Sequence, residues 1–211
     1  MMEQLLLASN NEHKHREFIR LFPGVSVVLP RELGLDFDYQ EGEESYLVNA
    51  MGKGMSLFRQ AQGQGGNGPL PVIADDSGLS VPALRGEPGI RSSRYGSKPG
   101  QPVLEAPQRN LYLLDRMDGI QDRRAFFVCC LVLVLGENRY IIVQETVDGT
   151  ITEAPRGANG FGYDPLFLFP HSGKTMAELT DDEKDRISHR GRAARRMRAL
   201  AASEGGTTGW T

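Results

Sequence analysis

Apolar and polar positions alternate along this chain in short blocks rather than long ones. Residues 5–8 are a compact apolar run that ends at Ser9-Asn10-Asn11, the pattern of a buried strand entering a polar turn. Residues 12–22 carry Phe18, Ile19 and Phe22 at helical spacing, and Pro23-Gly24 stops the helix. Residues 25–29 form a second strand that Pro30 closes. An acidic stretch, 36–45, leads into a helix expected at 45–62, which Gly52 and Gly54 weaken. Residues 63–71 are a Gly-rich connector, expected as a mobile surface loop. Residues 72–74 form a brief apolar strand that runs straight into Asp75-Asp76-Ser77-Gly78.

Residues 86–102 read as irregular and 104–117 as helical. Two strand-like runs, 123–136 and 139–148, flank Gly136-Glu137-Asn138, a hairpin signal. Residues 157–170 are rich in Gly and aromatics and read as loop. A short helix near 176–180 and a longer one over 188–202 close the pattern, and 203–211 reads as a frayed tail. Strands mixed with helices and a single hairpin predict a mixed α/β sheet with flanking helices, in one domain over 1–203.

Composition narrows the function. The 211 residues are 39% hydrophobic, enough for a sizeable core, and no apolar run approaches the ~18 residues a membrane helix needs. The net charge of −3 argues against a general polyanion or membrane-surface binder. That average hides a segregation. Residues 184–198 hold seven of the 24 cations and one of the 27 acids, which leaves −9 on the rest. The start, Met1-Met2-Glu3-Gln4, lacks the basic region of a signal peptide, so the protein is expected in the cytoplasm. Cys129 and Cys130 are adjacent, form no spaced metal or redox motif, and would point to opposite faces of a strand; they read as small buried hydrophobes.

Five constellations could carry chemistry. Ser9, Asn10, Asn11 and Lys14 lie at a strand-to-helix junction, where free backbone N–H groups and the helix dipole favour a phosphate. The same residues would serve equally as an ordinary N-cap with Lys14 in solvent. Asp75 and Asp76 are adjacent carboxylates that need a cation, whether a divalent metal or a basic side chain, or else backbone amides to cap. Only one of the two should face a given site. Glu41, in the acidic stretch, could join Asp76 to meet the one or two carboxylates that Mg²⁺ needs, or could lie in a solvated loop. Gly160-Phe161-Gly162-Tyr163-Asp164-Pro165 would let a backbone approach a flat ligand under a stacking ring, or form a tight turn packed on the core. Lys184, His189 and Arg190 precede a basic helix face that reads as solvated. The GKT of 173–175 is not a P-loop, because Leu168 stands where that motif needs its first glycine.

The order of these motifs is more specific than any one of them. Ser9-Asn10-Asn11-x-x-Lys14, Glu41…Asn49-Ala50-x-x-Lys53, Ala74-Asp75-Asp76-Ser77-Gly78-Leu79, Phe161-Gly162-Tyr163-Asp164-Pro165 and Lys184…Ser188-His189-Arg190 closely resemble the inosine/xanthosine triphosphate pyrophosphatase family, over nearly the whole chain. The resemblance implies two lobes around a nucleotide cleft, a homodimer, and Mg²⁺-dependent hydrolysis of ITP, dITP and XTP to the monophosphate and pyrophosphate. It implies that Ser9, Asn10, Asn11 and Lys14 bind the triphosphate, with Lys53 in a phosphate role. Glu41 and Asp76 would hold the metal, with Glu44 as the alternative to Glu41, and Asp76 would also accept the proton. Ser77 would touch substrate, and Phe161, Gly162, Tyr163, Asp164, Lys184, His189 and Arg190 would surround base and sugar. A nucleotide-binding module without catalysis is the competing reading. A nucleic-acid binder using 184–198 is the other, and the acidic remainder of the chain argues against it.

Overall fold

A computed structural model describes residues 3–62, 70–98 and 100–203. The tail expected at 204–211 and most of the connector expected at 63–71 lie outside the described residues. Seven strands form one mixed sheet in the order β2-β1-β3-β4-β5-β6-β7. They are β1 (Gln4–Leu7), β2 (Ser26–Val28), β3 (Val72–Ser80), β4 (Arg124–Gly136), β5 (Arg139–Ile151), β6 (Phe167–Phe169) and β7 (Lys174–Thr175). β1 pairs in parallel with β2, placing Leu5 opposite Val27, and with β3, placing Leu6 opposite Val72. β6 runs antiparallel to both β5 and β7. The helices are α1 (Glu12–Leu21), α2 (Tyr46–Gln60), α3 (Ala106–Arg116), α4 (Asp181–Ile187) and α5 (His189–Ser203).

The chain divides into two compact units, one of residues 3–76, 129–145 and 190–203, the other of 77–128 and 146–189. In the first, period-2 alternation sorts β4 into two cores. Cys129, Leu131 and Leu133 join Phe18 and Leu21 of α1 and Ala193, Ala194 and Met197 of α5. Cys130, Val132 and Val134 join Ala50, Leu57 and Phe58 of α2. The two thiols are therefore buried on opposite faces, as a strand requires. Gly54 lets α2 lie close on the sheet, since a Cβ there would stand 3.0 Å from Val134. In the second unit, Leu113 of α3 packs with Phe127, Val147, Tyr163 and Phe167.

Several elements differ from the pattern in the sequence, β6 among them, which is a strand at the end of the stretch 157–170 expected as loop. β3 does not stop at residue 74 but runs to Ser80, carrying Asp75 and Asp76 inside the sheet. α4 occupies a stretch in which no helix is legible, because its sequence DDEKDRI has no apolar stripe. Thr180 starts it, accepting from the Glu183 N–H while Glu183 accepts from the Thr180 N–H. The short helix expected at 176–180 is a 3₁₀ turn over Met176–Glu178. Among the described residues, no helix is long and apolar enough to cross a membrane.

Leu131 is fully buried in the first unit. Replacing it with Ala should cost about 2–5 kcal/mol in urea unfolding; a smaller loss would mean that the layer can collapse around the gap.

Candidate active site

The first unit gathers charges around the middle of β3. Val72 and Ala74 face the α2 core and Ile73 the α1–α5 core, so Asp75 falls on the Ile73 side and Asp76 on the Ala74 side. Asp75 is buried, and its Oδ2 accepts from Arg190 Nε at 3.1 Å and Nη2 at 3.0 Å. Lys14 Nζ stands 3.0 Å from the same oxygen, and the Cys129 thiol donates to Oδ1 at 3.4 Å. Arg190 Nη1 donates to buried Glu17 at 2.5 Å. Burial alone would raise the Asp75 carboxyl, but the charges of Arg190, Lys14 and Lys53 outweigh it and hold the group far below the ordinary range.

Asp76 is in a different situation. Asn49 Nδ2 donates to its Oδ2 at 3.0 Å, and Lys53 Nζ lies 3.6 Å from its Oδ1. Lys53 donates more closely to Glu41 at 2.6 Å and to the Asp75 carbonyl at 2.8 Å. That carbonyl also accepts from Lys14 at 3.3 Å, so two ammonium groups share one backbone oxygen. Burial raises the Asp76 carboxyl, Lys53 offsets this only in part, and Glu41 adds to it. Lys53 is itself buried; the cost of desolvating its charge is outweighed by Asp76 and Glu41, which raise its pKa.

α2 brings Asn49 and Lys53 to this point because residues four apart share a helix face. Ser45 caps the helix by accepting from the Val48 N–H. Tyr46, in its first turn, packs against the α2 core. Its hydroxyl is buried and has no hydrogen-bond partner among the described residues. Burial, and then the charge of Asp76, push the phenol well above its usual range.

At the start of α1, Asn11 is the N-cap and accepts from the N–H groups of His13 and Lys14. Ser9 accepts from the Asn11 N–H at 3.1 Å, and Asn10 donates to the Phe37 carbonyl at 2.7 Å. Capping thus occupies the Asn11 oxygen, and of this segment it is Lys14 that reaches the carboxylates.

The second unit holds the remaining expected residues. Asp164 is buried and accepts from the Phe161 N–H at 2.8 Å and from Lys184 at 2.6 Å. The Lys184 ammonium lies 4.9 Å from the Phe161 ring centroid, over its face. Gly162 accepts from Asn110, and the buried Tyr163 donates to the Ser92 carbonyl. His189 stacks parallel on Phe127 with centroids 4.5 Å apart. Ser77 is half-buried within β3.

The structure therefore groups Lys14, Glu41, Lys53 and Asp76 in one unit and Phe161, Gly162, Tyr163, Asp164, Lys184 and His189 in the other. Glu44 is exposed, and it is Glu41 that meets Lys53. The guanidinium of Arg190, expected beside the base, is engaged by Asp75 and Glu17. Asn49 stands in the motif Asn49-Ala50-x-x-Lys53 without an assigned role, and Glu17 belongs to none of the motifs. Asn49 carries a usable signal, four residues before Lys53; Glu17 carries none, since its partner is 173 positions away.

The oxygen donors fit a divalent cation. Glu41 and Asp76 place two carboxylates against one ammonium, which leaves negative charge uncompensated where Asp76 is already raised. Among the described residues, no group of three or more His, Cys, Asp or Glu side chains forms a complete metal cage. A cation here would draw the rest of its shell from water and phosphate, the habit of Mg²⁺.

A family model described as the Ham1 family matches residues 5–200. The chain is 47% identical over 190 residues to a protein of Treponema denticola named dITP/XTP pyrophosphatase, covering 90% of this chain and 94% of that one. The structure of the Staphylococcus aureus Ham1 protein matches with a TM-score of 0.79 at 36% identity, over 96% of this chain and 100% of that one. A Mycobacterium abscessus structure, described as a nucleoside-triphosphatase / dITP/XTP pyrophosphatase, matches with a TM-score of 0.69 at 35% identity, over 94% and 99%.

Two substitutions test the electrostatic assignments. Arg190→Met leaves Asp75 and Glu17 buried without their guanidinium and should cost about 3–5 kcal/mol in urea unfolding; unchanged stability would remove Arg190 from that role. Tyr46→Phe deletes a hydroxyl with no partner, so the thermal midpoint of the nucleotide-free protein should stay level or rise. A clear drop would show that the hydroxyl is satisfied.

Proposed function

The chain belongs to the Ham1 family, and from that premise we propose that it hydrolyses the non-canonical purine nucleoside triphosphates ITP, dITP and XTP to the monophosphate and pyrophosphate, with Mg²⁺. The observation that carries the reading is the pair of lysines, Lys14 and Lys53, on the Asp75 carbonyl beside the carboxylates of Glu41 and Asp76. A triphosphate carries about four negative charges, which cations must offset before an anionic nucleophile can approach. Glu41 and Asp76 would hold the metal. Bound there, Mg²⁺ supplies Lewis-acid charge that offsets the phosphates.

The chain's own groups do the rest. Lys14 and Lys53 bind phosphate oxygens, with the junction at Ser9, Asn10 and Asn11 adding donors. Asp76, raised by burial, orients a water and takes its proton as the water attacks the α-phosphorus. The bond from that phosphorus to the bridging oxygen breaks, and pyrophosphate leaves with the electron pair. Ser77 serves as a further substrate contact.

Phe161 stacks on the purine, held by the Asp164–Lys184 pair, and Gly162 and Tyr163 shape the turn. Lys184 and His189 supply donors for a 6-oxo group. A 6-amino base would set donor against donor there, which costs far more than a lost contact. Arg190 acts by fixing Asp75. The reading takes 1–203 as one catalytic domain and the protein as a cytoplasmic homodimer, its oligomeric state open to light scattering.

Product analysis across ITP, dITP, XTP, ATP and GTP tests the proposal. IMP and pyrophosphate should form from ITP with Mg²⁺, ATP should react far more slowly, and EDTA should stop turnover. Release of single phosphate as the first product would overturn it. Asp76→Asn should lower kcat by about 10²–10⁴-fold with the circular dichroism spectrum unchanged; retained activity would remove Asp76 as the base.

A further inference from the structure

Glu41 lies in residues 35–45, which belong to no helix or strand. Asp76, by contrast, is fixed in β3. Two carboxylates that share one ammonium repel each other, so the looser one should drift away unless something ties it down. Asn49 supplies that tie. Its Oδ1 accepts from the Gly42 N–H at 2.8 Å, and its Nδ2 donates to the Gly42 carbonyl at 3.3 Å. The side-chain amide thus pairs with both sides of the residue next to Glu41, much as a neighbouring strand would. The second hydrogen of Nδ2 goes to Asp76 Oδ2 at 3.0 Å. Both donors of that amide are then used, and the side chain is almost wholly buried at 1% exposure.

The bond to Asp76 also selects an oxygen. Oδ2 is held by Asn49, while Oδ1 is the oxygen on the Lys53 side, where Glu41 also lies. We infer that Asn49 is a positioning residue that holds Glu41 and Asp76 together as a preformed divalent-cation site before any ligand arrives. The inference rests on the reading of those two carboxylates as the metal ligands. Its physical content is preorganisation: without the clamp, binding a cation must first order the 35–45 loop against carboxylate repulsion. Partners of metal ligands typically change metal affinity or activity by about 10–100-fold when removed.

The test uses Mn²⁺ binding to the full-length, nucleotide-free protein, followed by the loss of the free-ion electron paramagnetic resonance signal. Wild-type protein should bind Mn²⁺, and Glu41→Gln and Asp76→Asn should each abolish this. If they do not, the ligand assignment itself fails and the clamp falls with it. Asn49→Ala should weaken Mn²⁺ binding by about tenfold or more and lower kcat, while KM for ITP at saturating metal changes less than about threefold, because Lys14 and Lys53 stay in place. Asn49→Ser keeps a polar group but is too short to span Gly42 and Asp76; it should show the same loss, and it decides the matter if Asn49→Ala does not fold. Leu57→Val loosens the same helix two turns further on and should leave Mn²⁺ affinity unchanged. Wild-type affinity in a folded Asn49 variant, or an equal loss in Leu57→Val, would overturn the inference.

Discussion

Two adjacent carboxylates inside a buried strand are a constraint that much of the first unit is arranged to meet. Asp75 and Asp76 are both nearly inaccessible, and neither can be left without a counter-charge at that burial. The strand's own geometry sends them to opposite faces, so one cation cannot serve both equally. Each face therefore recruits its own helices. α1 sends Lys14 and Glu17, three residues apart on one face, and α5 sends Arg190 from the far end of the chain. α2 sends Asn49 and Lys53 to the other face. Ion pairs of this kind add little net stability, because desolvation consumes most of the attraction. What they do is fix geometry, since breaking any one leaves a buried charge exposed to its full cost.

The two sides are compensated unequally. Asp75 has a guanidinium on it, a lysine beside it and a thiol on its other oxygen, and its carboxyl is held far below the ordinary range. Such a group cannot exchange protons near neutral pH. Asp76 has one amide and one lysine at 3.6 Å, and Glu41 competes for that same lysine. Its carboxyl is raised, because burial and the charge of Glu41 outweigh Lys53, Lys14 and the Asn49 hydrogen bond. Residues that are neighbours in sequence thus shift in opposite directions because a strand turns them to different partners.

Much of this was legible in the sequence, and the failures have physical causes. The helices at α1 and α2 and the β4–β5 hairpin follow from apolar spacing and turn residues, which are local signals. The local pattern ends β3 at residue 74, because Asp75-Asp76-Ser77-Gly78 has the composition of a turn, whereas the strand runs on with both carboxylates met by partners from α1, α2 and α5. α4 is not legible because its seven residues, DDEKDRI, carry no apolar stripe, and its capping box is its one local mark. In the site, Lys14, Glu41, Lys53 and Asp76 were each found as part of a motif, but their meeting depends on contacts across up to 61 positions. Arg190 shows the limit most clearly. A basic residue at the head of a basic helix looks like a ligand contact, and nothing local discloses that its guanidinium is spent on Asp75, 115 positions earlier.

The second unit solves a smaller version of the same problem. Asp164 is buried, and it accepts from the Phe161 N–H within its own turn and from Lys184 on α4. The turn is drawn so tightly around this carboxylate that a Cβ on Gly160 would lie 2.0 Å from its Oδ2, and Gly160 and Gly162 both take positive φ. Glycine is required at 160 on both counts, conformation and space. Phe161 is thus held by the ion pair through its own N–H and by the ammonium over its ring face, so the orientation of the aromatic platform is set electrostatically. Lys184 and Arg190 stand six residues apart, either side of the point where the chain passes from one unit to the other. Each is the buried cation that fixes a carboxylate, one beside the aromatic turn and one beside the paired aspartates. The concentration of positive charge at 184–198 therefore divides by depth: Lys184 and Arg190 are buried against carboxylates, whereas Arg186, Arg192, Arg195 and Arg196 are exposed. A basic segment in an acidic chain is therefore not one uniform anion-binding patch, since Lys184 and Arg190 are each paired with a carboxylate of the fold.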